Sequence, residues 1–317
     1  MTGRKAIVPA TSGARPAVSV IVPALNSART IERCMQTLAV QRTDHRFEVV
    51  VVHSGEDDTC ARAERALPGT RTVQLPRRAL AATARNAGVR AARADVFAFL
   101  DSDAYPTSGW IEAAVAASRT GYELVCGAIG NANPGSHVSR AEQLLMFSEF
   151  LRESPERPIW FALSGNLVLT RQTYERFGPF VEVRASEDIL YSGTVAAKGG
   201  RFLFFPRLHV LHDNRQRLRP YLRNQMLLGQ YTAMARRRVR FADSSSHALF
   251  LAALPLSPLV KLAKVVWRLR RWAPGELTTL MREAPLVLLG VLAHGTGQAR
   301  GAFRRFPAPM SGTFVQG

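Results

Sequence analysis

Two carboxylates one residue apart, Asp101 and Asp103, close the apolar run Val96-Phe97-Ala98-Phe99-Leu100. On an extended chain, Asp-x-Asp places two oxygen donors on one side. Hard cations such as Mg²⁺ or Mn²⁺ take such donors while keeping positions for phosphate oxygens. The chemistry on offer is divalent-metal chelation of a diphosphate, although Asp-Ser-Asp ahead of Tyr-Pro is equally good turn chemistry. Glu187-Asp188 follows Ser186 and opens a helical pattern. A carboxylate there can act as a general base, or can simply favour the positive end of the helix. His212 and Asp213 stand at the end of a short apolar run, where a histidine serves as ligand, proton carrier or structural group according to its neighbours. Ser164-Gly165-Asn166 breaks the apolar segment 161–169, the mark of a bulge or of a ligand's close approach.

A sheet is needed to hold these groups together, and the pattern supplies one. Strands are expected at 18–22, 47–52, 72–75 and 96–100. Helices are expected between them: from an Asn26 or Ser27 cap to Leu38, from Asp58 or Thr59 to about residue 67, and over 80–92 with Arg85, Asn86 and Gly88 mid-helix. Alternation of this kind predicts an α/β protein with a mostly parallel, doubly wound sheet and right-handed crossovers. Ligands bind at the carboxyl ends of such strands. The polar groups after Val22, Val52 and Leu100 are therefore expected to share one pocket. The second half reads as helices at 110–117, 140–151 and from Glu187 to 197, with strands at 124–129, 202–205 and 208–211.

The 317 residues carry a formal net charge of +18, almost wholly from arginine, which implies an anionic partner: nucleic acid, acidic lipid or a phosphorylated substrate. Aromatic residues interleaved with basic ones are sparse and no nucleic-acid motif occurs, which argues against nucleic acid. Cys34, Cys60 and Cys126 are odd in number and widely spaced, as expected for reduced thiols in a cytosolic setting. Residues 1–16 lack a signal-peptide core and read as a mobile tail on an unsecreted protein.

The motifs, taken in order, resemble glycosyltransferase family 2: Val-Ser-Val-Ile-Val-Pro-Ala-Leu-Asn, Glu48-Val-Val-Val-Val, Ala84-Arg85-Asn86-Ala87-Gly88, Phe99-Leu100-Asp101-Ser102-Asp103, Ser164-Gly165-Asn166 and Glu187-Asp188, spread over about residues 17–235. The resemblance implies a GT-A fold, a nucleotide-diphospho-sugar donor, a divalent metal and inversion at the anomeric carbon. It implies donor contacts at Pro23, Ala24, Asn26, His53, Arg85, Asp101 and Ser102, a metal set of Asp103, Asp101 and His212, and acceptor contacts at Ser164, Gly165 and Asn166. Asp188 would be the catalytic base, with Glu187 its competitor. His53 departs from the family's usual aspartate; a neutral imidazole could still accept a hydrogen bond from the donor base, with altered base preference. The alternatives are a GT-A scaffold that has lost catalysis and, further off, a nucleic-acid-binding protein.

Residues 236–317 are expected to form a basic, apolar helical appendage. The uncharged run 248–260 makes roughly 20 Å of helix against a hydrocarbon core of roughly 30 Å, and Pro255 and Pro258 interrupt it. Two readings stand. One is helices lying on the inner face of the cell membrane, with Trp267 and Trp272 as anchors, the basic residues on anionic lipid and a sugar or lipid-linked acceptor. The other is a helical hairpin packed on the catalytic domain or on a second copy of the chain.

Overall fold

A computed structural model describes residues 13, 15–239 and 244–304. Most of the expected tail, Arg240 of the basic run, and residues 305–317 lie outside that set. In chain order the elements are β1 (Val18–Ala24), α1 (Ile31–Ala39), β2 (Phe47–His53), α2 (Thr59–Ala66), β3 (Arg71–Gln74), α3 (Ala81–Ala91), β4 (Val96–Leu100), β5 (Ala104–Pro106), α4 (Trp110–Ser118), β6 (Leu124–Asn131) and α5 (His137–Phe147). They continue with β7 (Arg157–Ile159), β8 (Asn166–Thr170), α6 (Arg171–Phe177), α7 (Glu187–Ala197), β9 (Phe202–His212), α8 (Leu218–Val239), α9 (Ser244–Ala253), α10 (Ser257–Trp272), α11 (Glu276–Arg282) and α12 (Ala284–Ala302).

The strands form one sheet in the order β3-β2-β1-β4-β8-β6-β9-β5, with β7 added along β9. The first four are parallel. β8 enters antiparallel between β4 and β6, and β9 runs parallel to β6. β1 and β2 are buried along their whole length, which is why they read as continuous valine-rich runs without alternation. One apolar layer, including Trp110, Leu38 and Phe205, lies on one face of the sheet; Phe97, Phe99, Phe180 and Tyr191 fill the other.

The expected strands 202–205 and 208–211 are a single strand. Phe205 faces Gly127 and His209 faces Ala128, so residues 206–208 bulge out of register and take Pro206, which cannot donate to the ladder, with them. The segment 161–169 is a strand only from Asn166, which is buried and fully bonded: it accepts from Trp110 Nε1 at 3.0 Å and donates to Ala128 O and Leu208 O at 3.0 and 2.8 Å. It clamps the sheet, and these bonds take up its side-chain oxygen and amide.

The C-terminal helices are built onto this domain. The expected boundary at 235/236 falls inside α8, which runs on without a break. α12 lies against α8 so closely that a Cβ at Gly297 or Gly301 would fall 2.0 Å from Met226 O or 2.1 Å from Gln230 O. Glu283, 2% exposed, takes hydrogen bonds from Arg140 and lies 3.0 Å from His137, both on α5. The stretch Phe250–Trp272 is long and apolar enough to cross a membrane by length and composition. Its inner face nevertheless packs on protein through Val265 and Leu269, while Leu259, Val260 and Trp267 are exposed.

Candidate active site

The loops after β1, β2 and β4 are stitched together. Asn26 adopts the left-handed conformation (φ 50°), tolerable for asparagine, and its Oδ1 accepts from Glu56 N–H at 3.1 Å. Thr59 Oγ1 accepts from Ser27 N–H at 2.9 Å, and the Ser27 and Ser102 hydroxyls are 2.8 Å apart. His53 is 2% exposed: Nδ1 is 2.9 Å from Gln74 Oε1, and Nε2 lies 3.1 Å from Asp57 Oδ1 without hydrogen-bond geometry. Both ring nitrogens thus face protein groups, Gln74 and Asp57. Pro23 and Ala24 are buried in the sheet opposite Val52 and His53.

Asp101 and Asp103 do not lie on an extended chain. Ala104 N–H returns to Asp101 C=O at 3.0 Å, closing a turn that sends the two carboxylates to different partners. Asp101 accepts from Arg85 Nη2 at 2.8 Å, and Arg85 Nη1 donates to Glu187 Oε1, also at 2.8 Å. Arg85 is 2% exposed. Burial works against its charge, but Asp101 and Glu187 outweigh it, so the guanidinium is a buried bridge between two acids rather than an open nucleotide contact. Asp101 is further seated by Gly165, whose carbonyl accepts from its N–H at 3.1 Å; a Cβ at 165 would fall 2.3 Å from Asp101 Oδ2.

Glu187 is thus fixed, by Arg85 and by Ser164 Oγ at 3.3 Å. Among the described residues, Asp188 has no such cation. Its Oδ1 accepts from Ile189 N–H at 2.8 Å, and it faces the cavity from the first turn of α7, which Ser186 enters in the left-handed conformation (φ 61°). Desolvation by the surrounding walls, then repulsion from Glu187, pushes the Asp188 carboxyl up to about 7. Two adjacent acids therefore take different states, one neutralised by arginine and one poised to exchange a proton near neutrality.

At the other corner, His212 Nδ1 is 2.8 Å from Asn214 Oδ1, an acceptor whose amide is oriented by its bond to Gln143. Nδ1 therefore carries a proton and Nε2 turns toward Asp103 at 3.6 Å. The Asp103 side chain is 41% exposed to the cleft. Even so, the cleft walls desolvate its carboxyl and Asp101 repels it, and His212 only partly offsets these effects, so its pKa is raised. An acid short of a cation, beside a histidine nitrogen with a free lone pair, fits a divalent ion whose remaining positions go to phosphate and water. Among the described residues, no three His, Cys, Asp or Glu side chains converge on one point. Of the expected metal set, Asp101 is bonded to Arg85, while Asp103 and His212 face each other.

Arg85, Asp101, Ser164, Gly165, Glu187, Asp188 and His212 line one cavity of about 720 Å³. It runs on past Phe147 and Phe150 beneath the C-terminal helices to Lys261 and His294, residues the sequence reading did not connect with the site.

The model of the family described as glycosyl transferase family 2 matches residues 19–178, half of the chain. The chain belongs to glycosyltransferase family 2. Its similarity to other glycosyltransferases is distant. It is 29% identical to glycosyltransferase AglE of Haloferax volcanii over 171 residues, covering 52% of this chain and 56% of the relative. It is 26% identical to the pre-mycofactocin glycosyltransferase of Mycobacterium tuberculosis over 231 residues, covering 67% of this chain and 46% of that one. The chain thus spans about half the length of the curated relatives it matches. Among solved structures it is similar to the mannosyltransferase PcManGT of Pyrobaculum calidifontis, in complex with GDP-Man and Mn²⁺, with a TM-score of 0.55, 20% identity and coverage of 90% of this chain and 88% of the other. That likeness establishes the GT-A fold for this family 2 chain, with its helical appendage.

Proposed function

We propose that this protein is an inverting glycosyltransferase that moves a sugar from a nucleotide-diphosphate donor to an acceptor hydroxyl, with Asp188 as general base. The observation that carries this reading is the division of labour between neighbouring acids: Arg85 holds Glu187, while Asp188, with no ion-pair partner among the described residues, lines the cavity with its carboxyl pushed up to about 7. Attack of the hydroxyl on the anomeric carbon requires a proton acceptor on the side away from the leaving nucleotide, and a carboxylate of this basicity takes that proton near neutral pH. Asp103 and His212 would hold the divalent ion, which supplies charge neutralisation for the departing diphosphate. Arg85 and Gly165 keep Asp101 fixed beside them, where it is free to accept a donor hydroxyl on Oδ2. Walls of Phe147, Phe150 and Leu163 keep water from the reacting centre.

Asp103→Ala tests the donor half of this reading. It should abolish metal-dependent strengthening of nucleoside-diphosphate binding, measured by calorimetry with and without chelator, while leaving the melting temperature within a few degrees. Metal-independent binding in wild type, or release of no nucleotide from any sugar donor, would favour the non-catalytic scaffold instead.

We also infer attachment to an anionic membrane surface, with a surface-borne or lipid-linked acceptor. Leu256 just before α10, Leu259 and Trp267 on α10, Met281 on α11, and Leu288 and Leu292 on α12 expose apolar area, with Lys264, Arg270 and Arg271 exposed beside it. Trp272 does less here than its sequence suggests, because the Arg157 guanidinium stacks 3.8 Å from its ring centroid. Removing the appendage would uncover α8, so the test uses substitutions on the exposed face. Leu259→Glu combined with Leu292→Glu should cut co-sedimentation with phosphatidylglycerol vesicles severalfold, and salt should release part of the wild-type protein by screening its basic residues. Unchanged co-sedimentation of the variant would refute surface attachment.

A further inference from the structure

The end of the cavity farthest along the chain from Asp188 is polar and cationic, although it lies within the helical appendage. Lys261 and Ser257 reach it from α10, His294 and Gln298 from α12, and Arg236 from α8. His294 and Gln298 are 8% and 3% exposed. Ser257 Oγ and Gln298 Oε1 are buried with no hydrogen-bond partner, and among the described residues Lys261 has no carboxylate partner. Arg268 lines the same stretch but is engaged by Glu149. Isolated buried polar groups cost stability, and a partly buried ammonium without a carboxylate lacks its counter-ion, so a group of them along one wall marks a place built for something else to complete. Burial, with Arg236 and Arg268 nearby, also pushes the Lys261 ammonium down to about 7, the behaviour of a cation lacking its counter-ion. The same cavity has apolar wall residues, with Phe147, Phe150, Leu227 and Val265 among them.

We propose that this cluster is an anion subsite for the acceptor: the acceptor carries a phosphate on an apolar chain, the phosphate sits at Lys261, Ser257 and Gln298, and the chain lies along the apolar walls so that the hydroxyl reaches Asp188. The proposal rests on the reading of Asp188 as general base. The Lys261 ammonium and the Ser257 hydroxyl donate to phosphate oxygens, and the Gln298 amide turns to offer its N–H₂. Arg236 adds long-range attraction. Neither an uncharged alkyl alcohol nor a bare phosphate would satisfy both the walls and the cluster.

The test is calorimetry on the full-length protein with monodecyl phosphate below its micelle concentration, with 1-decanol and inorganic phosphate as partial probes. Monodecyl phosphate should bind, each partial probe should bind at least tenfold more weakly, and Lys261→Gln should weaken monodecyl phosphate by roughly tenfold to a hundredfold, as for loss of a hydrogen bond to a charged group. Ser257→Ala should weaken it by less. Lys261→Gln removes a partly buried charge that has no carboxylate partner among the described residues, so its melting temperature should not fall, and weaker binding cannot then be put down to misfolding. Equal affinity for wild type and Lys261→Gln, or decanol binding as tightly as its phosphate, would overturn the subsite. So would a loss of phosphatidylglycerol vesicle binding in Lys261→Gln with monodecyl phosphate affinity intact, since Lys261 would then serve the bilayer surface. Nucleoside-diphosphate affinity on the same samples separates the two readings. Nucleotide binding without Lys261-dependent binding of monodecyl phosphate sinks the subsite alone; the reverse overturns the glycosyltransferase reading and leaves the anion site.

Discussion

Asp188→Asn is expected to lower sugar transfer by roughly a hundredfold to ten-thousandfold, the range for loss of a general base, with donor affinity unchanged. Asparagine keeps the volume and loses the proton acceptor, and in the proposed reaction Asp188 acts on the acceptor hydroxyl rather than on the donor. In wild type the active form is the carboxylate, so kcat/KM should fall as pH drops through about 7, and that acid limb should be absent from the residual rate of the variant. Stability runs the other way. A carboxyl whose folded pKa lies above its ordinary value binds its proton more tightly in the native state, so the stability it contributes is present below about pH 4 and lost as pH rises through about 7. Asp188→Asn should therefore melt higher than wild type at about pH 8 and no higher at about pH 4. Glu187→Gln should cost less activity, by loosening Arg85. Near-normal turnover in Asp188→Asn, with Glu187→Gln inactive, would move the base to Glu187.

The second large effect is structural. Arg85→Met should destabilise the fold by about 3 kcal/mol, the low end of the range for breaking a buried ion pair, since Asp101 keeps 35% of its side chain exposed and Glu187 only 13%. The loss arises because two carboxylates 2.8 Å from a guanidinium are left to repel each other and Asp188. Glu187→Gln in the Arg85→Met background should recover part of the loss, and Arg85→Lys should fall between, because an ammonium cannot bond both acids with a planar fork. Denaturant midpoints measure all three. Arg85 also holds down the pKa of Asp188, so the acid limb should shift upward in Arg85→Lys. Additive effects of Arg85→Met and Glu187→Gln would show that the bridge carries no coupling.

What was legible in the sequence was whatever local chemistry decides. β1, β2 and β4 announce themselves because strands buried on both faces need unbroken apolar runs, and Glu187-Asp188 can be read because helix starts have a signature. β5 and β7, three residues each, exist only because β9 is beside them, and no pattern that short can reveal them. Arg85 looked like a donor contact because its partners, Asp101 and Glu187, are distant along the chain. Asn166 looked functional because polarity in an apolar strand signals either a ligand or a buried network, and only the positions of Trp110, Ala128 and Leu208 decide between them. Lys261 was hidden in a basic run that reads as lipid-facing throughout; α10 brings Lys261, Lys264 and Arg268 to the cavity wall and leaves Arg270 and Arg271 outside.

The placement of β9 also governs how the protein comes into being. On the ribosome, β3-β2-β1-β4 can pair as soon as residue 100 has emerged, since all their crossovers lie within the nascent segment. β5 has no neighbour until residues 202–212 are made, and β6 gains its long parallel partner only then. Asp103 therefore waits for His212 while the intervening chain, including both acids of α7, is synthesised. The nascent protein carries an open strand edge through that interval, the period in which it is most exposed to mispairing and most in need of a chaperone. The corner that holds Asp103 and His212 is the last part of the sheet to be assembled, so under the proposed function metal-dependent nucleotide binding would report completion of the sheet.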